Sequence, residues 1–175
     1  MSLENRFRRL APVCALVALL RILTGRLRLE NRYVGRVFVM EDGRRFRAFR
    51  HMSQRAGKAG AQVSPAVLVV RFKFARFSQG LNRVLSLIPV PLIGGYPGFR
   101  DKLWMVDEDS GDWQGVYEWE STAAVKAYQC SFALRVMNRR AVPESISYAV
   151  IERTLLADYL TRRTEPSVPT ATRDE

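Results

Sequence analysis

The chain has 175 residues, 47% of them hydrophobic, with 28 Lys and Arg against 17 Asp and Glu and a net charge of +11. That length and apolar content allow a buried core and exclude wholesale disorder. One histidine excludes multi-histidine metal sites within a chain, and two isolated cysteines, Cys14 and Cys130, give no disulfide framework and suit a reducing, cytoplasmic setting.

The basic excess is local. Residues 1–60 hold 14 Lys and Arg against 4 acids, whereas residues 61–175 hold 14 against 13. A local excess of this kind suits an anionic membrane surface, a nucleic acid or an acidic partner. Arg6, Arg8 and Arg9 precede the uncharged run Leu10 to Leu20, and Arg21 follows it. The run is far shorter than the roughly 20 residues that span a bilayer, and Thr24-Gly-Arg-Leu-Arg28 after it is no signal-peptide cleavage site. Two readings stand: a helix in a membrane interface with its arginines snorkelling outward, or a helix buried on the domain.

Tyr33 to Met40 and Arg45 to Arg50 alternate as strands do around Glu41-Asp-Gly-Arg44, which predicts a basic hairpin. Arg45-Phe-Arg-Ala-Phe-Arg50 interleaves arginine and aromatic residues, as a nucleic-acid surface would. An ordinary half-exposed strand shows the same period, so nucleic acid is not the expected partner. The following stretch to Pro65, rich in Gly, Ala, Ser and Gln, reads as a linker over 53–65. It separates a helix within 1–30 and a hairpin within 31–52 from a domain over 66–163, and 164–175 reads as a frayed tail.

Within that domain, Ala66 to Phe77 predicts a strand with Leu68, Val70, Phe72 and Phe74 on one face. Leu81 to Ile88 predicts a short helix closed by Pro89 and Pro91. Two strands follow in Gly98–Tyr117, joined by the acidic turn Asp107-Glu-Asp-Ser-Gly-Asp112 with Gly111 free to take positive φ. Period two sets Phe99, Leu103 and Met105 on one face and Arg100, Lys102 and Trp104 on the other; Trp113, Tyr117 and Trp119 share a face of the second strand. Ser121 and Thr122 are N-cap candidates for one helix through Ala141, ended by Pro143. Ser145 to Ile151 predicts a last strand and Glu152 to Arg163 a last helix. Strand, helix, strand, strand, helix, strand is the ferredoxin-like α+β arrangement, an antiparallel sheet with helices on one face. The other face, expected to bear Arg71, Lys73, Arg100, Lys102, Glu118 and Glu120, would be solvated or paired with a partner sheet.

Gly98-Phe-Arg-x-Lys-Leu-Trp104, Asp107-Glu108, Ser110-Gly111-Asp112 and Gly115-Val-Tyr117, with Ala124, Ala127-Tyr128 and Ala133-Leu134, resemble the YdhR-type mono-oxygenase group of the dimeric α+β barrel superfamily. The resemblance covers about residues 66–151 and leaves the basic segment unexplained. It implies a homodimer of ferredoxin-like subunits, each with an apolar cleft between sheet and helices, and relatives that oxygenate polycyclic aromatics without a cofactor. One fold hosts many functions, so a non-enzymatic binding or interaction module of the same fold is the rival reading.

The cleft so implied would be lined by Phe72, Phe74, Leu103 and Trp119 from the sheet and Phe132 from the helix, around a small planar hydrophobic molecule. Tyr117 or Tyr128 would hydrogen-bond a substrate hydroxyl, Arg135 would stabilise an enolate, and Asn82 is a further polar candidate. Aromatic residues at these spacings equally make an ordinary core. The acidic turn lacks the twelve-residue calcium-loop pattern and is expected to be solvated. His51 is read as a solvated linker residue in place of an axial haem ligand. No metal or cofactor is expected.

Overall fold

The computed structural model describes residues 10–55 and 64–164. Helix α1 (Ala11–Leu23) leads into β1 (Leu27–Glu30), β2 (Val37–Val39) and β3 (Arg45–Gln54). From Ala66 the order is β4 (Ala66–Phe72), α2 (Gln79–Leu85), α3 (Val90–Gly94), β5 (Phe99–Asp107), β6 (Trp113–Trp119), α4 (Thr122–Gln129), α5 (Phe132–Arg140), β7 (Ser147–Glu152) and α6 (Leu156–Thr161). The expected arginines at 6, 8 and 9 and the tail beyond Thr164 lie outside the described residues.

Strands β5, β6, β4 and β7 lie side by side and antiparallel, which is the ferredoxin-like order. Strand β3 then completes the β5 edge, from Phe46 opposite Asp107 to Ser53 opposite Asp101, and carries β1 and β2 on its far side. The basic hairpin expected to stand apart is therefore the outer part of one continuous sheet. An open β5 edge would leave a row of unpaired amide and carbonyl groups, and β3 removes it. Ser53 and Gln54, assigned to a linker by composition, are strand, and His51 is buried within it.

Three element boundaries differ from expectation for identifiable reasons. The long helix predicted through Ala141 is two helices, because Ser131 caps a new one: its Oγ accepts from the Leu134 N–H at 3.2 Å, as the Ser121 Oγ does from Ala124. Pro91 does not end a helix but sits in the first turn of α3, where its missing N–H costs nothing. Strand β4 stops at Phe72, and Phe74 continues only as a single bridge to Ala141.

Each face of the sheet is covered. On the helix side, Leu68, Val70, Phe72, Trp104, Tyr117 and Trp119 pack with Val125, Tyr128 and Leu134. The opposite face, expected to be charged and open, buries Val67, Val69, Leu103, Met105 and Val116 under Tyr33, Phe38 and Met40 from the N-terminal segment and Leu156, Tyr159 and Leu160 from α6. A register shift in the β5–β6 ladder between Phe99 and Asp101 is the physical cause for the β5 residues, Leu103 and Met105 in place of Lys102. One extra residue inverts every later side chain relative to Phe99, so Phe99 shares the helix side with Lys102 and Trp104, and Leu103 goes to the other.

The acidic turn between β5 and β6 is tied down by arginines of the N-terminal hairpin. Gly111 takes φ 71°, and Asp107 Oδ1 accepts the N–H groups of Asp109 and Ser110 at 3.0 and 2.8 Å. Arg44 donates to Asp107 Oδ2 at 2.8 Å and to Asp112 and Ser110 at 2.7 Å each, while Arg45 and Arg47 bridge to Glu108. Burial alone would raise the Asp107 and Glu108 carboxyls; these hydrogen bonds outweigh it and hold both below their ordinary values.

Candidate functional site

Between the helix side of the sheet and helices α2, α3 and α5 lies a cavity of about 230 Å³. Its floor is built by cross-strand pairs: Lys102 opposite Tyr117, Trp104 opposite Gly115, and Phe72 opposite Trp113. Gly115 is a spatial necessity here. A Cβ at that position would come within 2.7 Å of the Tyr117 ring, which lies over it. Leu92 and Ile93 of α3 close one wall, and Ala133, Val136, Met137 and Arg140 of α5 another. Ile88, Phe132 and Val136 line the cavity yet are exposed, Ile88 at 66% and Phe132 at 50%, and so form its rim.

The walls are aromatic. Phe74 meets Phe72 and Trp113 edge to face, each at 4.9 Å between centroids, and Trp113 donates its indole N–H to Gln79 Oε1 at 2.8 Å. Tyr117 and Tyr128 sit 5.5 Å apart, both fully enclosed. Burial pushes both phenols well above their ordinary value, so at neutral pH each is a protonated donor.

The feature that sequence reasoning missed is Lys102. It is 4% exposed, and its ammonium lies 4.0 Å from the centre of the Trp104 ring and 4.3 Å from that of Tyr117. None of the residues lining the cavity is acidic. Desolvation, reinforced by the nearby Arg50, holds the amine well below the ordinary lysine value. Arg50 itself donates to Ser86 Oγ and to the Arg83 carbonyl, and Arg140 at the cavity wall donates to Asn82 Oδ1 at 3.2 Å. The signal was a lysine between aromatics in a strand, directly across from Tyr117; the register shift hid which face it occupies.

The structure brings Phe72, Phe74, Tyr117, Tyr128 and Phe132 together around the cavity. It does not bring Arg135, Leu103, Trp119 or Asn82 to the lining. Arg135 is exposed and donates to the Cys130 carbonyl at 2.7 Å, closing the end of α4. Leu103 belongs to the opposite face for the register reason given above. Trp119 is a layer behind, 4.6 Å from Tyr128. Asn82 is buried, donates to the Arg76 and Phe77 carbonyls and accepts from Arg140, so it positions that guanidinium. His51 is bound to Asp101 at 3.0 Å on the strand β3, not in a linker. Among the described residues no three His, Cys, Asp or Glu side chains could hold a metal ion together.

No protein-family model and no curated protein matches the sequence. Two solved structures are similar in shape. One, described as a "putative monooxygenase" from Fusobacterium nucleatum subsp. nucleatum, is 6% identical with a TM-score of 0.45, over 62% of this chain and 49% of that one. The other, an anthrone oxidase-like protein, is 13% identical with a TM-score of 0.44, over 64% of this chain and 57% of that one. The chain thus spans about half the length of each of these two structures.

Proposed function

We propose that the protein binds a small planar hydrophobic molecule in this cavity and oxygenates it with dioxygen alone. The observation that carries the reading is the aromatic-walled cavity with the Tyr117 and Tyr128 hydroxyls and the Lys102 amine among its few polar groups. Flat rings on three sides suit a flat ligand. An activated CH₂ beside a carbonyl would lose a proton to give an enolate, which adds to dioxygen as a hydroperoxide. Loss of water then leaves a new carbonyl, so one oxygen atom enters the product and the other leaves as water. The protein's part is to orient the ring, hydrogen-bond the oxygen through a tyrosine and hold the enolate by charge. Lys102 takes the charge role expected of Arg135.

Oxygen uptake with a panel of hydroxylated tricyclic ketones tests this reading. The expected result is uptake in wild type that drops about tenfold or more in Tyr117→Phe or Lys102→Met. Binding without uptake would leave a carrier or interaction module, the rival function. A homodimer belongs to the same reading, formed without the sheet face that Tyr33, Phe38 and Tyr159 already occupy; sedimentation at micromolar concentration decides it, and a strict monomer removes it.

Association with an anionic membrane surface completes the proposal. Among the described residues no helix is long and apolar enough to cross a membrane. Helix α1 buries Cys14 and Ala18 but exposes Leu16, Leu19, Leu20 and Leu23. It also adjoins the cavity: Leu92, Phe132 and Ala133 line both the cavity and the small cleft closed by Ala11 and Cys14. A hydrophobic ligand could pass from lipid to this rim without crossing water. Co-flotation with anionic liposomes should fall sharply in Leu16→Glu/Leu20→Glu, and equal flotation of variant and wild type would show the helix to be structural only.

A further inference from the structure

The cavity holds an unusual electrostatic arrangement that planarity and hydrophobicity do not explain. An ammonium has three N–H donors, and a buried donor without an acceptor costs far more than one in water. Lys102 faces two aromatic rings and no carboxylate. Arg140 is a second cation in the lining, and Arg50 a third just behind it, its guanidinium 5.8 Å from the Trp104 ring. A core that merely needed filling would place Met or Leu at this position. Elsewhere the chain pairs its buried charges, as Arg44 does for Asp107 and the Leu156 N–H for Glu118.

We propose that the ligand of this cavity is a planar hydrophobic acid, held as its anion with the oxyanion on Lys102. The proposal rests on the cavity being a ligand site, as above, and adds the class of ligand. The apolar body would lie between Phe72, Phe74 and Trp113, and the anionic oxygens would accept from Lys102 and from the protonated hydroxyl of Tyr117. Arg140 and Arg50 give the entrance and the floor a positive potential that favours an anion over a neutral molecule of equal shape. An anion on Lys102 also supplies the charge that the free protein lacks. Binding would therefore push the amine back toward its charged form, because an opposite charge within a few ångström favours that form.

Titration calorimetry on the full chain tests this with three probes of one shape: 2-naphthoate, the acidic enol 2-hydroxy-1,4-naphthoquinone, and the neutral 2-naphthalenemethanol. The expected result is that one or both acids bind about tenfold or more tighter than the alcohol, the stronger acid arm telling a carboxylate site from an enolate site. In Lys102→Met that preference should vanish while the alcohol still binds within about threefold, and Lys102→Arg should restore it. Repeating the titration at several pH values from neutrality up to the ordinary lysine value of about 10.5, each in two buffers of different ionisation enthalpy, should reveal a pH window of proton uptake with the acids for wild type and none for Lys102→Met. An alcohol that binds as well as the acids, or a Lys102→Met variant that loses all probes equally, overturns the inference while keeping the cavity as a ligand site. If no probe binds wild type, the cavity reading falls and this inference with it. A stable adduct of Lys102 with 2-naphthaldehyde after cyanoborohydride reduction, without acid preference, would instead make the lysine a nucleophile and overturn the anion site.

Discussion

The two faces of the sheet treat buried charge in opposite ways. On the face covered by the N-terminal segment and α6, charged side chains meet partners within the chain: Asp107 has Arg44, Glu118 has the Leu156 N–H, Arg71 has Asp42 and Gln114, and Asp101 meets His51 Nε2. On the helix side, Lys102 lies in an apolar cavity with aromatic faces only. The first face pairs its carboxylates when the chain folds. In the reading proposed above, a ligand completes the second, and the unpaired charge says what that ligand must carry.

The paired face should break most severely. Arg44→Ala strips Asp107, 3% exposed, of its only cation among the described residues and frees the hairpin from the acidic turn. A loss of about 2–4 kcal/mol is expected by denaturant titration, since a buried carboxylate is left without its counter-charge. Arg44→Lys should recover only part of it, because one ammonium cannot reproduce three bonds in a fixed fork. The pH dependence follows from the lowered carboxyls of Asp42, Asp107 and Glu108. Their stabilisation is present above the unfolded values near pH 4 and is lost as pH falls through the lower folded ones. Arg44→Ala should flatten that acid limb.

On the ligand side, Gly115→Val is the sharpest test of shape. Its Cβ would press into the Tyr117 ring at 2.7 Å and drive that ring toward the cavity. A cost of about 1–3 kcal/mol is expected from overpacking. Loss of probe binding should exceed what that instability explains, as read by calorimetry well below the melting point.

Much of this plan was legible in the residues. Alternation in Trp113–Trp119 and in Ala66–Phe72 gave the two central strands and their aromatic face, because no register shift interrupts the side-chain period of two where these strands pair. The helix-side position of Tyr117, Tyr128, Phe72, Phe74 and Phe132 followed from the same periods. Lys102, Trp104 and Leu103 did not, because a one-residue register shift beside Arg100 leaves no compositional mark and yet inverts the strand beyond it. The joining of β3 to β5 was hidden for another reason. It pairs residues about fifty positions apart, and local pattern says nothing of which edge a strand will complete. Ser131 was readable as a cap, but the helical spacing around it masked the break.

Lys102→Met should sharpen the contrast by making the ligand side resemble an ordinary core. Replacing the amine with an apolar chain of similar length should stabilise the free protein by about 1–2 kcal/mol near neutral pH. The sign with pH is definite. The folded amine releases its proton below the unfolded value of about 10.5, so in that window the unfolded state binds more protons and wild-type stability rises with pH. Below the folded value the penalty of a buried ammonium is full; above about 10.5 both states are neutral and it is gone. The gap between Lys102→Met and wild type should therefore shrink as pH rises, and a constant gap would show that the lysine is not desolvated.

The smallest expected effect is that of Arg135→Ala. Sequence spacing put this arginine on the cavity side of a single long helix, where its charge would hold an enolate and its loss would cost about tenfold in turnover. The Ser131 cap begins a new helix, and the Arg135 side chain turns back to the Cys130 carbonyl at 2.7 Å in an exposed position. One solvent-exposed hydrogen bond of that kind contributes at most a few tenths of a kcal/mol. Stability should move by less than about 0.5 kcal/mol, and binding of the acidic probes by less than about twofold. A tenfold loss of acid binding in Arg135→Ala would move the anion site from the floor at Lys102 to the helix surface, and the division between a self-paired face and a ligand-paired face would then be drawn in the wrong place.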